Sequence, residues 1–226
     1  MIKNTYVVKF FSFTDKIVKR KRNEIVFKIR NNININALNS IVDVGTTNDD
    51  LLESSNYIIY QFDDIKTKKS ISNQKIVNKY FDINYEKSIT ENLSLDELDI
   101  LSSDIVISSA TIEHVGNDNN KKKMVKNISL LAKKCFVITT PNRYYPIDFH
   151  TKLPFIHFLP KKIHRFILTL IGMNFFAREE NLDLISYNQL KFLLKDINTF
   201  EIKIKKIKFL GLTSNFIVIA KKISNQ

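Results

Sequence analysis

The hydrophobic positions of the chain follow two alternating patterns, short continuous apolar runs and stretches with apolar residues at helical spacing. Clear apolar runs occupy Ser40–Gly45, Asp104–Ser109 and Cys135–Thr140, and Pro141 stops the last of them. Short apolar runs bounded by turn residues are typical of buried strands. Since these runs alternate with helical stretches, the pattern predicts an α/β fold with a largely parallel sheet that helices cover on both faces.

The same spacing rules predict the remaining elements of this region. Weaker apolar runs predict strands at 69–73 and 85–89. Helical spacing predicts helices, in chain order, over 14–31, 51–62, 74–81, 120–134 and 187–195. The first helix carries consecutive cations, Lys19–Arg22, between its apolar positions. We therefore expect a basic amphipathic helix that packs on the sheet as a lid, with contact to an anionic surface or substrate as the alternative.

The regular alternation breaks after Pro141. A stretch rich in proline, histidine and aromatic residues extends from 141 to 186, which is longer than an ordinary connection and therefore suggests a functional segment. Within it, Ile163, Phe166 and Leu170 belong to one apolar helical stripe. Two final strands are predicted at 200–210 and 215–220, and the short turn between them predicts a hairpin whose last strand is antiparallel.

Length and composition indicate one ordinary globular domain. The 226 residues are 44% hydrophobic and 26% charged, and Cys135 is the single cysteine. One cysteine excludes a disulfide framework or a cysteine-rich metal site and fits a reducing compartment. The sequence shows neither a signal-peptide core nor an apolar run long enough to cross a bilayer, so we expect a cytoplasmic protein.

The net charge of +12 raises the question of a polyanionic partner. The lysines are scattered along the chain, and the aromatic-interleaved basic motifs of RNA-binding modules are absent from the sequence. The sequence therefore indicates no DNA partner and leaves RNA as a less favoured alternative.

Polar segments follow three of the predicted strands, at the edge where open parallel sheets bind ligands. The first, Asp43-Val44-Gly45, lacks the further glycines of a dinucleotide fingerprint and the lysine of a P-loop. The second is the run SSATIEHVG at 108–116, and the third is TTPNRYYPIDFHTKLPFIHFLP at 139–160. Together with ESSN at 53–56 and AREENLDLIS at 177–186, these segments resemble bacterial class I methyltransferases of the type 11 group, which use S-adenosylmethionine (SAM). The resemblance covers about residues 41 to 194.

The resemblance implies a Rossmann-like class I methyltransferase fold, with a seven-stranded, mostly parallel sheet, an antiparallel last strand and helices on both faces. The chain would be one domain, 1–226, with an N-terminal helical extension at 1–39 and a substrate-side lid insertion at 141–186. The implied cofactor is SAM, and the implied cofactor-binding residues are Asp43, Gly45, Thr46, Asn73, Glu91, Asn92, Ser108 and Ser109. The family usually has an acidic residue after the second strand for the ribose hydroxyls. Here an amide, Asn73, stands near that position, and one amide oxygen accepts fewer hydrogen bonds than a carboxylate.

Methyl transfer requires an acceptor held in line and, for a hydroxyl or amine, removal of a proton. His114 and His150 follow strand ends and are the candidate bases, with Asp148 as a possible orienting partner of His150 and a structural role as the alternative for His114. Glu113 is expected to be a helix cap or a solvent-facing residue. Candidate substrate-binding residues are Arg143, Tyr144 and His150, and the alternative for Arg143 is a salt bridge that holds the loop. Spacing along the sequence reveals no metal-ligating cluster, so no metal is expected.

These inferences favour a methyltransferase acting on a small molecule, a saccharide or a lipid-linked acceptor, by O- or N-methylation. A catalytically silent scaffold is the alternative from another class, motivated by the few glycines and the missing ribose acid. The basic-flanked apolar stripe at 163–171 adds peripheral contact with the inner membrane face as a further hypothesis. The sequence leaves the oligomeric state open.

Overall fold

A seven-stranded sheet forms the centre of the molecule, in the order β3-β2-β1-β4-β5-β7-β6. The structure is a computed structural model and describes residues 12–49 and 55–223. The strands are β1 Ser40–Val44, β2 Thr67–Ser72, β3 Ile83–Glu86, β4 Ser103–Ser109, β5 Ala132–Pro141, β6 Phe200–Phe209 and β7 Leu212–Lys222. Pairing is parallel from β3 to β5, and β7 is antiparallel to both of its neighbours. The predicted mostly parallel sheet with an antiparallel last strand is confirmed.

Helices lie on both faces of the sheet, as predicted. They are α1 Ser12–Arg30, α2 Leu95–Leu101, α3 Asp118–Leu131, α4 Lys161–Leu170, α5 Asn174–Ala177 and α6 Tyr187–Leu194. Apolar residues of α2, α3 and α6 pack in one buried cluster against one face of the sheet. Apolar residues of α1 and of the segment 57–65 form a second cluster on the other face. The described residues include no helix long and apolar enough to span a membrane.

Two predicted helices are wrong. Residues 55–61 form turns and a short 3-10 helix, Ile59–Gln61, while 50–54 lie outside the described residues. Consecutive apolar residues at 57–59 are all buried, whereas a helix that packs through one face spreads three consecutive side chains around its axis. Residues 74–81 form no helix either, because the Asn78 side chain accepts a hydrogen bond from the Tyr80 amide and closes a local turn.

Helix α2 was not predicted, although the sequence contains a signal for its first turn. Ser94 Oγ accepts a hydrogen bond from the Glu97 amide, and the Glu97 carboxylate accepts one from the Ser94 amide. This reciprocal pair is a capping box, which fixes where a short helix begins. The helix is only seven residues long, too short for its apolar periodicity to stand out.

The segment 141–186 covers the carboxyl edge of the sheet next to β5 and is joined to the core by buried charges. Lys121 of α3 is fully buried and forms an ion pair with Asp183. Asp183 also accepts hydrogen bonds from Lys161 and Arg165 of α4, at 2.7 and 3.1 Å. One carboxylate therefore holds α4 against α3, which fixes the position of the segment beside the cavity described next.

Candidate active site

A cavity of about 730 Å³ opens at the carboxyl ends of β1, β2, β4 and β5. The loops after these strands form its floor and walls, while α1 and residues near the β6–β7 hairpin contribute to its other side. From β1 the chain adds β2 and β3 on one side of the sheet, and it then crosses over to add β4 and β5 on the other side of β1. Such a switch in strand order leaves a crevice in which α/β proteins bind ligands.

The turn after β1 brings the backbone close to the neighbouring strand-end loop. Gly45 has φ +91°, and a Cβ at this position would overlap the side chain of Thr111. Only glycine therefore fits this turn. Thr46 and Thr47 line the cavity, and Thr46 Oγ1 donates a 2.6 Å hydrogen bond to Asp43 Oδ2. Asp43 itself lies buried behind Thr46, and burial raises its pKa from 3.8 to about 6.

The loops after β2 and β3 supply amide and hydroxyl groups to the cavity. Asn73 lines it together with Gln74, and cofactor binding by Asn73 stays a prediction. Glu91 and Asn92 are exposed, and the cavity wall is formed by the residues just before them, including Ser88 and Thr90. The predicted third strand ended three residues too late, because β3 ends at Glu86. Cofactor binding by Glu91 and Asn92 stays a prediction, and the cavity wall before them has the hydroxyls of Ser88 and Thr90, which lie 2.8 Å apart.

The β4 end forms the central part of the floor. Ser109 lines the cavity as predicted, whereas Ser108 is fully buried and donates a hydrogen bond to the Val44 carbonyl. Ser108 therefore holds β4 to β1 instead of lining the cavity. Ala110 has φ +52°, which is rare for a residue with a side chain and marks a tight, over-determined turn at the floor.

Glu113, His114 and His150 come together at one end of the cavity, and all three line it. Their ligand-type atoms lie within 4.8 Å of one another. Glu113 and His114 lie in a 3-10 turn after β4, whereas His150 lies in the loop after β5. His150 Nδ1 is 3.1 Å from Asp148 Oδ1, so Asp148 orients the ring as predicted, and His114 Nδ1 donates to the Asn181 carbonyl. The prediction that Glu113 faces solvent is wrong, because its side chain is fully buried.

Burial and neighbouring charges perturb the groups of this cluster. Burial raises the pKa of Glu113. Burial and the nearby His150 lower the pKa of His114 to about 3. Burial opposes the charged form of His150, but the bond to Asp148 and the charges of Asp148 and Glu113 outweigh it and raise the pKa of His150. The pKa of Asp148 is lowered against the effect of burial by its hydrogen bonds to His150 and Thr151.

Two predicted substrate-binding residues do not line the cavity. Arg143 donates hydrogen bonds to the carbonyls of His157 and Leu159, so it holds its loop through backbone groups. This is close to the alternative considered for it, with carbonyls in place of a carboxylate. Tyr144 is 56% exposed and packs edge-on against Phe158 on the outer surface. Of the three, only His150 is part of the cavity wall.

Helix α1 contributes a basic wall to the cavity, through Lys19, Lys21 and Arg22. Lys21 Nζ donates a 2.9 Å hydrogen bond to Glu24 and also bonds the Lys208 carbonyl, while the Arg22 guanidinium lies 5.9 Å from the Tyr57 ring centroid. The sequence predicted that this helix has a basic face, but it did not show which part of the protein that face lies against. The role of a lid over the sheet stays a prediction, and the structure adds that the cations face the cavity.

No protein-family model matches the sequence, and no curated protein matches it either. Solved structures do resemble it. Magnesium protoporphyrin IX methyltransferase from Synechocystis PCC 6803, solved with bound SAM, has a TM-score of 0.54 and 10% identity over 96% of this chain and 86% of its own. The chain has the class I methyltransferase fold. N-methyltransferase NodS from Bradyrhizobium japonicum WM9 has a TM-score of 0.51 and 6% identity over 93% and 99% of the two chains. Small RNA methyltransferase HEN1 has a TM-score of 0.58 and 15% identity over 96% of this chain and 26% of its own.

Proposed function

We propose that this protein is a SAM-dependent methyltransferase of the type 11 group that methylates a small molecule, a saccharide or a lipid-linked acceptor. The observation that carries the proposal is the 730 Å³ cavity at the carboxyl ends of β1 and β4, in a fold shared with methyltransferases. Neighbours of this fold were solved with bound SAM or S-adenosylhomocysteine. The resemblance in sequence points to the same cofactor independently.

The groups of the cavity fit the three parts of SAM. The Asp43–Thr46 turn offers a carboxylate behind a hydroxyl and suits the amino acid part. Asn73 and Gln74 offer amide oxygens and nitrogens for the ribose hydroxyls, where the family usually has a carboxylate. We assign the adenine contacts to the hydroxyls of Ser88 and Thr90 in the same wall. When bound, SAM supplies an electrophilic methyl group on a positively charged sulfur.

A catalytically silent scaffold would be expected to fill this cleft with side chains. The cavity is instead open and has polar groups at the ends of all five parallel strands, β1 to β5. The structure therefore gives no support to that alternative. The few glycines that motivated it are explained by the fold, because Gly45 alone makes the close approach to Thr111.

We propose that the acceptor binds at the end of the cavity that holds His114 and His150. Ser109 and Ala110 also line the cavity. We propose that these residues position the acceptor and that His114 and His150 activate its nucleophilic atom. The atom attacks the methyl carbon in line, the carbon–sulfur bond breaks with its electron pair left on sulfur, and the acceptor loses a proton.

The wall of α1 suggests an acceptor with an anionic group. The positive charges of Lys19 and Arg22, beside Lys21, which is paired with Glu24, would attract a phosphate or carboxylate next to the methylated part. Lipid-linked saccharides have this chemistry. Helix α4 and the residue after it add an exposed apolar surface that suits the lipid, since Ile163, Phe166, Leu170 and Ile171 are each about half exposed or more. RNA stays the less favoured polyanionic alternative.

Binding of SAM tests the proposal directly. Isothermal titration calorimetry with the full chain is expected to show one SAM site from which S-adenosylhomocysteine displaces the ligand. Asn73→Ala should weaken SAM binding about tenfold, because it removes a hydrogen-bonding group of the cavity wall. Asn92→Ala is the matched control, since Asn92 is exposed and outside the wall, and it should leave the affinity unchanged. Absence of any SAM binding would refute the proposed function.

The lid surface is tested separately with vesicles. The full chain should co-sediment with vesicles that contain anionic phospholipid, and Phe166→Ser combined with Leu170→Ser should reduce the bound fraction several-fold, since both side chains are more than 60% exposed. Equal sedimentation of both forms, or none with either, would exclude the peripheral membrane hypothesis without affecting the SAM proposal.

A further inference from the structure

The cluster of Glu113, His114 and His150 has the composition of a metal site. One atom from each residue, two nitrogens and one carboxylate oxygen, lies within 4.8 Å of the others. Zinc and other first-row divalent metals bind such mixed sets of nitrogen and oxygen ligands, whereas calcium prefers ligand sets made only of oxygen. The side chains converge on the cavity wall, so a cation held by them would face the acceptor end of the cavity.

A carboxylate oxygen in this cluster lacks a hydrogen-bond partner among the described residues. Glu113 Oε2 accepts a 3.0 Å hydrogen bond from Thr140, whereas Oε1 is buried and unpaired. A buried acceptor without a partner costs about 1–3 kcal/mol and calls for an explanation. The nearest charged candidate, His150 Nε2, is 4.0 Å from Oε1, too far for a hydrogen bond. A cation between the two atoms would satisfy both.

The surroundings of the two histidines match those of metal ligands. Histidine ligands almost always donate their second ring nitrogen to a carboxylate or a backbone carbonyl, which fixes the ring and its tautomer. His150 Nδ1 contacts Asp148, and His114 Nδ1 donates to the Asn181 carbonyl. Asp148 is itself held by the Thr151 hydroxyl at 2.7 Å. Both histidines would therefore coordinate through Nε2.

We propose that Glu113, His114 and His150 bind a divalent cation of the zinc, manganese or cobalt type at the acceptor end of the cavity. Three protein ligands leave coordination positions open for a substrate oxygen. The inference rests on the proposed function and deepens it. A cation there would lower the pKa of an acceptor hydroxyl, so it favours O-methylation and makes the histidines ligands in place of proton acceptors.

The transfer then balances without a protein base. The acceptor oxygen forms a bond to the methyl carbon as the carbon–sulfur bond breaks, and the electron pair of that bond stays on sulfur. The hydroxyl proton leaves to water, and the second product is neutral S-adenosylhomocysteine. The sequence analysis expected no metal because it considered only the spacing of residues along the chain. That spacing does not show that His150 lies beside Glu113 and His114 in the folded protein.

Cobalt(II) is the probe for this site, because its visible absorption reports coordination by nitrogen and oxygen ligands. The full chain, without a histidine tag and freed of metal by a chelator, is titrated with cobalt(II) and then challenged with zinc(II). We expect one cobalt ion per chain. Glu113→Gln and His150→Gln should each weaken binding at least 100-fold, and Asp148→Asn should weaken it about 10- to 100-fold by releasing the His150 ring. His164→Gln is the control, since His164 is a histidine outside the cluster, and it should bind cobalt normally.

The outcomes separate this inference from the proposed function. SAM affinity is measured in parallel in the presence of chelator, and it also checks that each variant is folded. No stoichiometric cobalt binding by the wild-type chain would overturn the metal site and would need no variant to do so. Cobalt binding that survives both Glu113→Gln and His150→Gln would overturn it as well. Normal SAM binding in either case would leave the methyltransferase proposal standing.

Discussion

Asp43 carries a prediction that links the stability of the protein to its cofactor site. The carboxyl group lies 5% exposed behind Thr46, and burial raises its pKa from 3.8 to about 6. Because the pKa in the folded state is above the unfolded value, ionisation of Asp43 destabilises the folded protein. The cost is absent below about pH 4 and complete above about pH 6. A difference of this size corresponds to about 3 kcal/mol.

Asp43→Asn removes the titration but keeps the shape of the side chain. The Thr46 hydroxyl, which donates to Asp43 at 2.6 Å, can donate to the asparagine oxygen instead. We therefore expect the free energy of unfolding of Asp43→Asn, relative to wild type, to rise by about 3 kcal/mol between pH 4 and pH 8. Urea denaturation of both proteins without SAM, at several pH values, measures this difference. If SAM binds as proposed, its affinity should respond in the opposite way and weaken, because the negative charge behind Thr46 no longer attracts the cofactor's amino group.

A second carboxylate provides a control of opposite sign. The hydrogen bonds from Arg30 to Asp64 lower the pKa of Asp64. Its ionised form stabilises the fold, and this stabilisation is fully present above the unfolded pKa of the carboxyl group and is lost as the pH falls through the lowered folded pKa. Asp64→Asn should therefore be less stable than wild type by a nearly constant amount from pH 4 to pH 8. A stability difference between Asp43→Asn and wild type that does not change from pH 4 to pH 8 would refute the reasoning about Asp43.

Two further predictions concern the framework of the site. Gly45→Ala should destabilise the protein by at least about 2 kcal/mol more than Gly211→Ala, since both glycines have positive φ but only position 45 faces an overlap with Thr111. Equal losses in thermal unfolding would argue against the close approach. Asp183→Asn should cost about 3–5 kcal/mol by leaving the buried Lys121 without its main partner. Lys121→Met should cost less, because Asp183 keeps Lys161 and Arg165, and the reverse order in urea denaturation would contradict this account.

The sequence by itself determined the sheet and most of its helices. Continuous apolar runs identified β1, β4 and β5 within a few residues, because a strand buried on both faces has a local signature. Gly211 marked the hairpin that makes β7 antiparallel. The predictions failed where hydrogen bonds from side chains to the backbone determine the local conformation. Asn78 closes a turn in place of a helix, and the capping box at Ser94 starts α2 without a visible apolar period.

The site depended far more on tertiary structure. The sequence indicated that polar residues follow β1, β4 and β5, and the parallel sheet brings those strand ends to one edge, so Gly45, Ser109 and His150 meet there. The tertiary fold decided which of the site residues are neighbours in space. Glu113 is buried beside His150 of the loop after β5. Helix α1 packs on the face of the sheet opposite to α3, and its cations line the cavity. Periodicity describes one segment at a time, whereas the pairing of Glu113 with His150 depends on strand register and loop path.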